Sequence, residues 1–69
     1  MTVTNRHRAK RFARMLRQYD TDNTDSGCLI DLLADARHWC DWQEECYGDL
    51  DRIAFDHYVA ELWDERRPT

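Results

Sequence analysis

Two histidines have carboxylates at helical spacing, and such pairs are the first candidates for proton transfer or metal binding. His38 lies three residues from both Asp35 and Asp41. His57 precedes Glu61 by four residues. Imidazole and carboxylate groups are common metal ligands and common general acids or bases, so a small metal-dependent enzyme using His38 or His57 is one hypothesis. The plainer interpretation is an exposed His38 on an acidic surface and a half-buried His57 at a helix interface.

The three cysteines do not have the spacing of a zinc site or of a catalytic thiol. Eleven residues separate Cys28 from Cys40 and five separate Cys40 from Cys46, whereas structural zinc sites usually contain a closely spaced pair. No cysteine, base and orienting group stand in an arrangement typical of nucleophilic catalysis. With an odd number of cysteines and a basic, polar N-terminus, we expect reduced thiols in a cytoplasmic protein. The sequence predicts no enzyme, no catalytic or metal-binding residue and no cofactor.

These residues must be positioned by amphipathic helices, and the apolar pattern of the middle helix is the clearest of the three. Its apolar residues recur at steps of three and four between positions 28 and 42. A second such pattern precedes it and a third follows it. We therefore predict an all-α fold, a single domain over residues 1–69. It is a small three-helix bundle with helices at 5–19, 27–44 and 50–66 and with residues 1–4 loose.

Residues that favour helix ends set these boundaries. Thr4 or Asn5 is suited to cap the first helix, and Ser26 to cap the second. Gly48 is predicted to stop the second helix, and Asp49 to cap the third. The predicted core combines the apolar positions of all three helices. Its members are Phe12, Leu16, Leu29, Leu32, Leu33, Ala36, Trp39, Ile53 and Tyr58.

The third helix is apolar on two opposite sides. One stripe consists of Leu50, Ile53, Ala54 and His57, with Ala60 at its edge. The other, called the outer stripe below, consists of Phe55, Val59, Leu62 and Trp63. A three-helix domain this small cannot bury both sides of one helix, so one stripe is left for a partner. We predict a homodimer that forms through the outer stripe, with the other stripe as the alternative contact.

Charge is distributed unevenly along the chain. Residues 1–19 carry a formal charge of +6, and residues 20–69, with 4 basic and 14 acidic side chains, carry −10. Four cations share the polar face of the first helix, which suggests nucleic-acid binding or neutralisation by the acidic remainder of the chain. They are Arg6, Lys10, Arg14 and Arg17.

The middle helix combines acidic residues with an aromatic side chain on its polar side. Asp35, His38, Asp41 and Trp42 form a surface that we predict to bind another protein. The function predicted is a non-enzymatic, homo-oligomeric adaptor that presents an acidic surface; a variant is an inhibitor that imitates nucleic acid. The alternative is nucleic-acid binding through the first helix. No apolar run is long enough to span a bilayer, so no membrane partner is expected.

Two blocks of sequence resemble small uncharacterised bacterial proteins that are often encoded on mobile elements. The first block is DLLADARHWCD at 31–41, and the second contains His57, Tyr58 and Glu61. The resemblance covers roughly residues 29–63. It implies a small helical protein and brings no established activity, substrate or cofactor.

Overall fold

The computed structural model describes residues 3–66, which form three helices. These are α1 (Asn5–Tyr19), α2 (Asp25–Trp42) and α3 (Tyr47–Arg66). The predicted all-α three-helix fold is confirmed. The bounds of α1 match the prediction, whereas α2 begins and ends two residues earlier and α3 begins three residues earlier. The prediction that residues 1–4 are loose lies partly outside the described residues.

The helix caps explain where α1 and α2 begin. Thr4 caps α1, because its side chain accepts a hydrogen bond from the His7 N–H at 3.1 Å. Thr24 caps α2 in the same way, accepting from the Gly27 N–H at 3.1 Å. The prediction that Ser26 is the α2 cap is wrong, because Ser26 already lies in the first turn of the helix. A capping side chain satisfies a backbone N–H that has no partner within the helix.

Removing the Thr24 cap is expected to lower the free energy of unfolding by about 1 kcal/mol. We therefore predict that Thr24→Ala shifts the urea midpoint downward, followed by far-ultraviolet circular dichroism. Ser26→Ala is the matched control, because that exposed hydroxyl caps no helix, and its effect is expected to stay within about 0.5 kcal/mol. An equal loss of stability in both variants would contradict the cap assignment.

The turn between α2 and α3 is formed by a residue other than the predicted glycine. Glu44 has a φ of 57°, in the left-handed region, and the Glu45 N–H donates to the Cys40 carbonyl at 2.8 Å. A left-handed residue followed by such a bond is a common way to end a helix. The prediction that Gly48 stops α2 is therefore wrong, since Gly48 lies inside the first turn of α3.

The helices form an open bundle rather than a closed one. The short turn after α1 folds α2 back along α1, and Leu16 and Cys28 are buried there. α3 runs beside the end of α2 and reaches the start of α1, where Arg8 and Glu61 form an ion pair at 2.8 Å. The radius of gyration is 14.5 Å, against about 11 Å for a compact domain of this length.

The predicted core is wrong for a single chain. Of the nine residues expected there, only Leu16 is buried, and Leu32 and Ala36 are half-buried. The other six are exposed. They are Phe12, Leu29, Leu33, Trp39, Ile53 and Tyr58. Among residues 3–66, the only other buried side chains are Cys28 and Cys40.

Candidate functional site

An apolar groove with a volume of about 300 Å³ lies between α2 and α3. Its lining, which defines the α2–α3 groove, comprises Leu33, Ala36, Trp39, Cys40, Tyr47, Leu50, Asp51 and Ala54. Trp39 is 51% exposed and Leu50 is 41% exposed, so large apolar side chains face water in the isolated chain. Asp51 is the one charged residue in this lining.

Both ends of α3 contact the other two helices. Near the start of α3, the guanidinium of Arg37 lies 4.4 Å from the centre of the Tyr47 ring, which is a cation–π contact. Toward its end, the Asn5 side-chain amide donates to the Glu61 carbonyl at 3.1 Å, and the backbone N–H of Asn5 donates to the Glu65 carboxylate. These contacts join α3 to α2 near its start and to α1 toward its end.

The outer stripe lies on another face of α3 and is also accessible. Phe55 and Trp63 are 60% and 68% exposed, whereas Val59 and Leu62 are half-buried. Val59, Leu62, Trp63 and Arg66 line a shallow depression of about 200 Å³. The ring of Phe55 also contacts that of Tyr58, with centroids 6.2 Å apart. The predicted self-association residues are thus available for contact.

The acidic surface predicted on α2 is only partly assembled. Trp42 is 77% exposed, and His38 and Asp41 are exposed beside it. Asp35, however, accepts a hydrogen bond from the Tyr19 hydroxyl of α1, so its carboxylate also ties the two helices together. Sequence periodicity placed Asp35 on the polar side of α2 but gave no sign of this partner.

His57 and Glu61 do not act as a pair in the structure. The Glu61 carboxylate instead binds the guanidinium of Arg8, and His57 is exposed rather than half-buried as predicted. Within residues 3–66, no three histidine, cysteine or acidic side chains are grouped closely enough to hold a metal ion.

The cations of α1 differ in their surroundings. Arg8 is half-buried and pairs with Glu61. The four predicted nucleic-acid contacts are exposed, and none forms an ion pair with another described residue. They are Arg6, Lys10, Arg14 and Arg17. Arg8 thus forms an ion pair with the acidic remainder of the chain, and whether the same remainder neutralises the other four stays a prediction.

The cysteines occupy two kinds of environment. Cys28 is 1% exposed, and its thiol donates to the Asp20 carbonyl at 2.9 Å. Burial raises the pKa of the Cys28 thiol, and the nearby carboxylates of Asp20, Asp25 and Asp31 raise it further. Cys46, by contrast, is exposed in the α2–α3 turn. Because the thiolate is the reactive form, Cys28 is suited to a structural role.

We predict that iodoacetamide modifies Cys46 first in the folded protein. Cys28 and Cys40 should react about a hundredfold more slowly, because both are buried and must await opening of the fold. Mass spectrometry of peptides from a time course measures the modification rate of each cysteine. The same time course in denaturant is the control, and the three rates should become equal there. Equal rates in the folded protein would show that the α1–α2 contact is not formed.

Comparison with known proteins identifies no relative: no family model, curated protein or solved structure matches the chain. The resemblance of 31–41 and 57–61 to small bacterial proteins therefore stays a prediction. Among residues 3–66, no helix has both the length and the apolar character needed to cross a membrane.

Proposed function

We propose that this chain is a non-enzymatic protein-interaction module that forms a homodimer and presents an acidic surface to another protein. The observation that carries the proposal is the exposure of large apolar side chains on all three helices, for example Met15, Trp39 and Trp63. Extended exposed apolar surface on a small domain is typical of a protein–protein contact. Self-association is assigned to the outer stripe of α3.

The acidic character of the remaining surface supports the adaptor role. All acidic residues in the described range except Asp20 and Glu61 are exposed. Beside Asp41, the exposed Trp42 provides the kind of aromatic anchor that often dominates the energy of a protein interface. Such a surface suits a basic protein partner, and a protein that normally binds nucleic acid would be one such partner. This is the basis for the inhibitor variant of the proposal.

Sedimentation velocity at tens of micromolar tests the self-association. We expect the wild-type chain to sediment as a dimer and Phe55→Asp to sediment as a monomer, because a carboxylate would have to be desolvated in the contact. Ala60→Asp is the matched control, since it introduces the same charge at an exposed α3 position that belongs to neither the outer stripe nor the groove lining. A monomeric wild type would refute the proposed self-association.

A second candidate function is nucleic-acid binding through α1, favoured by the four exposed cations without ion pairs among the described residues. Their spacing places them along one side of a 15-residue helix, which suits contact with a phosphate backbone. Against it stands the net charge of −4, which repels a polyanion at a distance.

Fluorescence anisotropy with labelled duplex DNA and with RNA, titrated with salt, tests this candidate. Binding through α1 predicts an affinity that falls steeply with salt and is lost when Lys10, Arg14 and Arg17 are all changed to Glu. Arg52→Glu on α3 is the charge-matched control for the single change Arg14→Glu, since each lowers the net charge by two and only Arg14 lies on the cationic face of α1. Absence of binding at low salt would eliminate the candidate.

A further inference from the structure

The α2–α3 groove and the outer stripe occupy different portions of the same helix. The groove is lined by the first two turns of α3, from Tyr47 to Ala54, whereas the outer stripe extends from Phe55 to Trp63. We propose that the outer stripe of a second copy of this chain occupies the groove, in an antiparallel, two-fold symmetric pairing of α3 helices. This inference rests on the proposed self-association and specifies the surface that receives the stripe.

The amount of exposed surface argues for a second copy as the occupant. The chain of 8.4 kDa exposes 6394 Å², whereas a folded monomer of that mass is expected to expose about 4,600 Å². Granting the five residues outside 3–66 the full exposure of an unfolded chain, about 180 Å² each, still leaves an excess of about 900 Å². A stable protein–protein interface buries about 800 Å² on each partner. The excess is of the size that one dimer contact would cover.

The chemistry of the two surfaces is complementary. The groove offers Leu33, Trp39 and Leu50 as an apolar floor, and the outer stripe offers Phe55 and Trp63 as large exposed aromatics. Aromatic side chains inserted into apolar pockets are the usual anchors of an interface.

The charges at the ends of the two surfaces also correspond. Asp51 lines the groove, and Arg66 borders the depression that contains the outer stripe. An antiparallel pairing brings the end of one α3 helix to the beginning of the other. It therefore places Arg66 of one copy toward Asp51 of its partner, and Trp63 toward Leu50.

The location of both surfaces on α3 also explains how the pairing closes. In a two-fold dimer each copy offers the same surface and receives the same surface, so both grooves are filled in one event. A stripe that docked without this reciprocity would leave one groove and one stripe open and would form a chain of molecules. We therefore expect a closed dimer and no larger assembly.

Two single substitutions and their mixture test the pairing by sedimentation velocity. Ala54→Asp places a carboxylate in the groove, and Trp63→Arg places a guanidinium in the outer stripe. Each is expected to raise the dimer dissociation constant by about thirtyfold or more, the effect of losing an interface hot spot. Mixed together, the two variants should form a hetero-pair in which one groove–stripe contact is native and the other joins the introduced opposite charges. The Ala60→Asp control should leave the wild-type dissociation constant unchanged, and circular dichroism checks that all variants remain helical.

The possible results separate the inference from the proposed function. A monomeric wild type overturns both. A dimer that is broken by Trp63→Arg but not by Ala54→Asp keeps self-association and overturns the groove as its receiving surface. Failure of the mixed variants to pair, when each alone is monomeric and helical, likewise overturns the reciprocal pairing. Loss of the dimer in each variant with recovery in the mixture supports it.

Discussion

Shortening Leu16 to alanine is expected to lower the free energy of unfolding by about 2–5 kcal/mol, which is the usual cost of truncating a buried leucine. Leu16 is 8% exposed and is the one large aliphatic side chain buried among residues 3–66. A domain of this size has a total stability of roughly 3–10 kcal/mol. The variant should therefore be largely unfolded or close to it.

Met15→Ala provides a matched control for this prediction. Met15 is adjacent in α1 and similar in size, but it is 46% exposed, so its truncation removes little buried area. Urea unfolding followed by circular dichroism compares the two variants at one protein concentration. If both lose the same stability, the α1–α2 contact is not the centre of the fold.

Capping residues and apolar periodicity predict a helix end correctly where they leave a single choice. Both ends of α1 were predicted correctly, because Thr4 is a strong cap and the polar segment after Tyr19 contains no helical apolar pattern. The predicted boundary between α2 and α3 lies two to three residues too far toward the C-terminus, because Gly48 is predicted to stop α2. Glu44 adopts the left-handed conformation instead. A non-glycine residue rarely does so, and nothing in its side chain signals it.

Packing was less predictable than secondary structure. Periodicity shows which side chains share a face of a helix but not how closely two helices approach. The angle of α3 depends on particular contacts, such as the Arg8–Glu61 ion pair and the stacking of Arg37 on Tyr47. These join residues far apart in sequence or across a turn. Most members of the predicted core are therefore exposed, and no pattern in the sequence predicts the α2–α3 groove.

Exposed apolar side chains extend beyond α3. The sequence predicts a closed core with surplus apolar surface on α3, and the closed core is wrong. Trp39 and Leu33 on α2 face water as well. A dimer contact would cover the exposed α2–α3 groove. We therefore expect dimer formation and folding stability to be coupled.

Thermal stability is accordingly expected to depend strongly on protein concentration. When a folded dimer unfolds to two separate chains, a hundredfold dilution lowers the free energy of unfolding by about 2.7 kcal/mol per dimer, or about 1.4 kcal/mol per chain. For a domain of this size that corresponds to a drop in the melting temperature of roughly 5–10 °C. Circular dichroism in cells of different path length measures it at constant signal.

Ala54→Asp and Ala60→Asp distinguish coupled dimerisation from an unrelated cause of concentration dependence. In the groove variant, the melting temperature should be low and should not change on dilution, because the chain no longer pairs. In the Ala60→Asp control, the wild-type dependence should remain, since that position lies outside both surfaces. Coincident wild-type melting curves over a hundredfold range would mean that the open groove is stable in water, and that the exposed apolar side chains of α2 and α3 are not covered by a second copy.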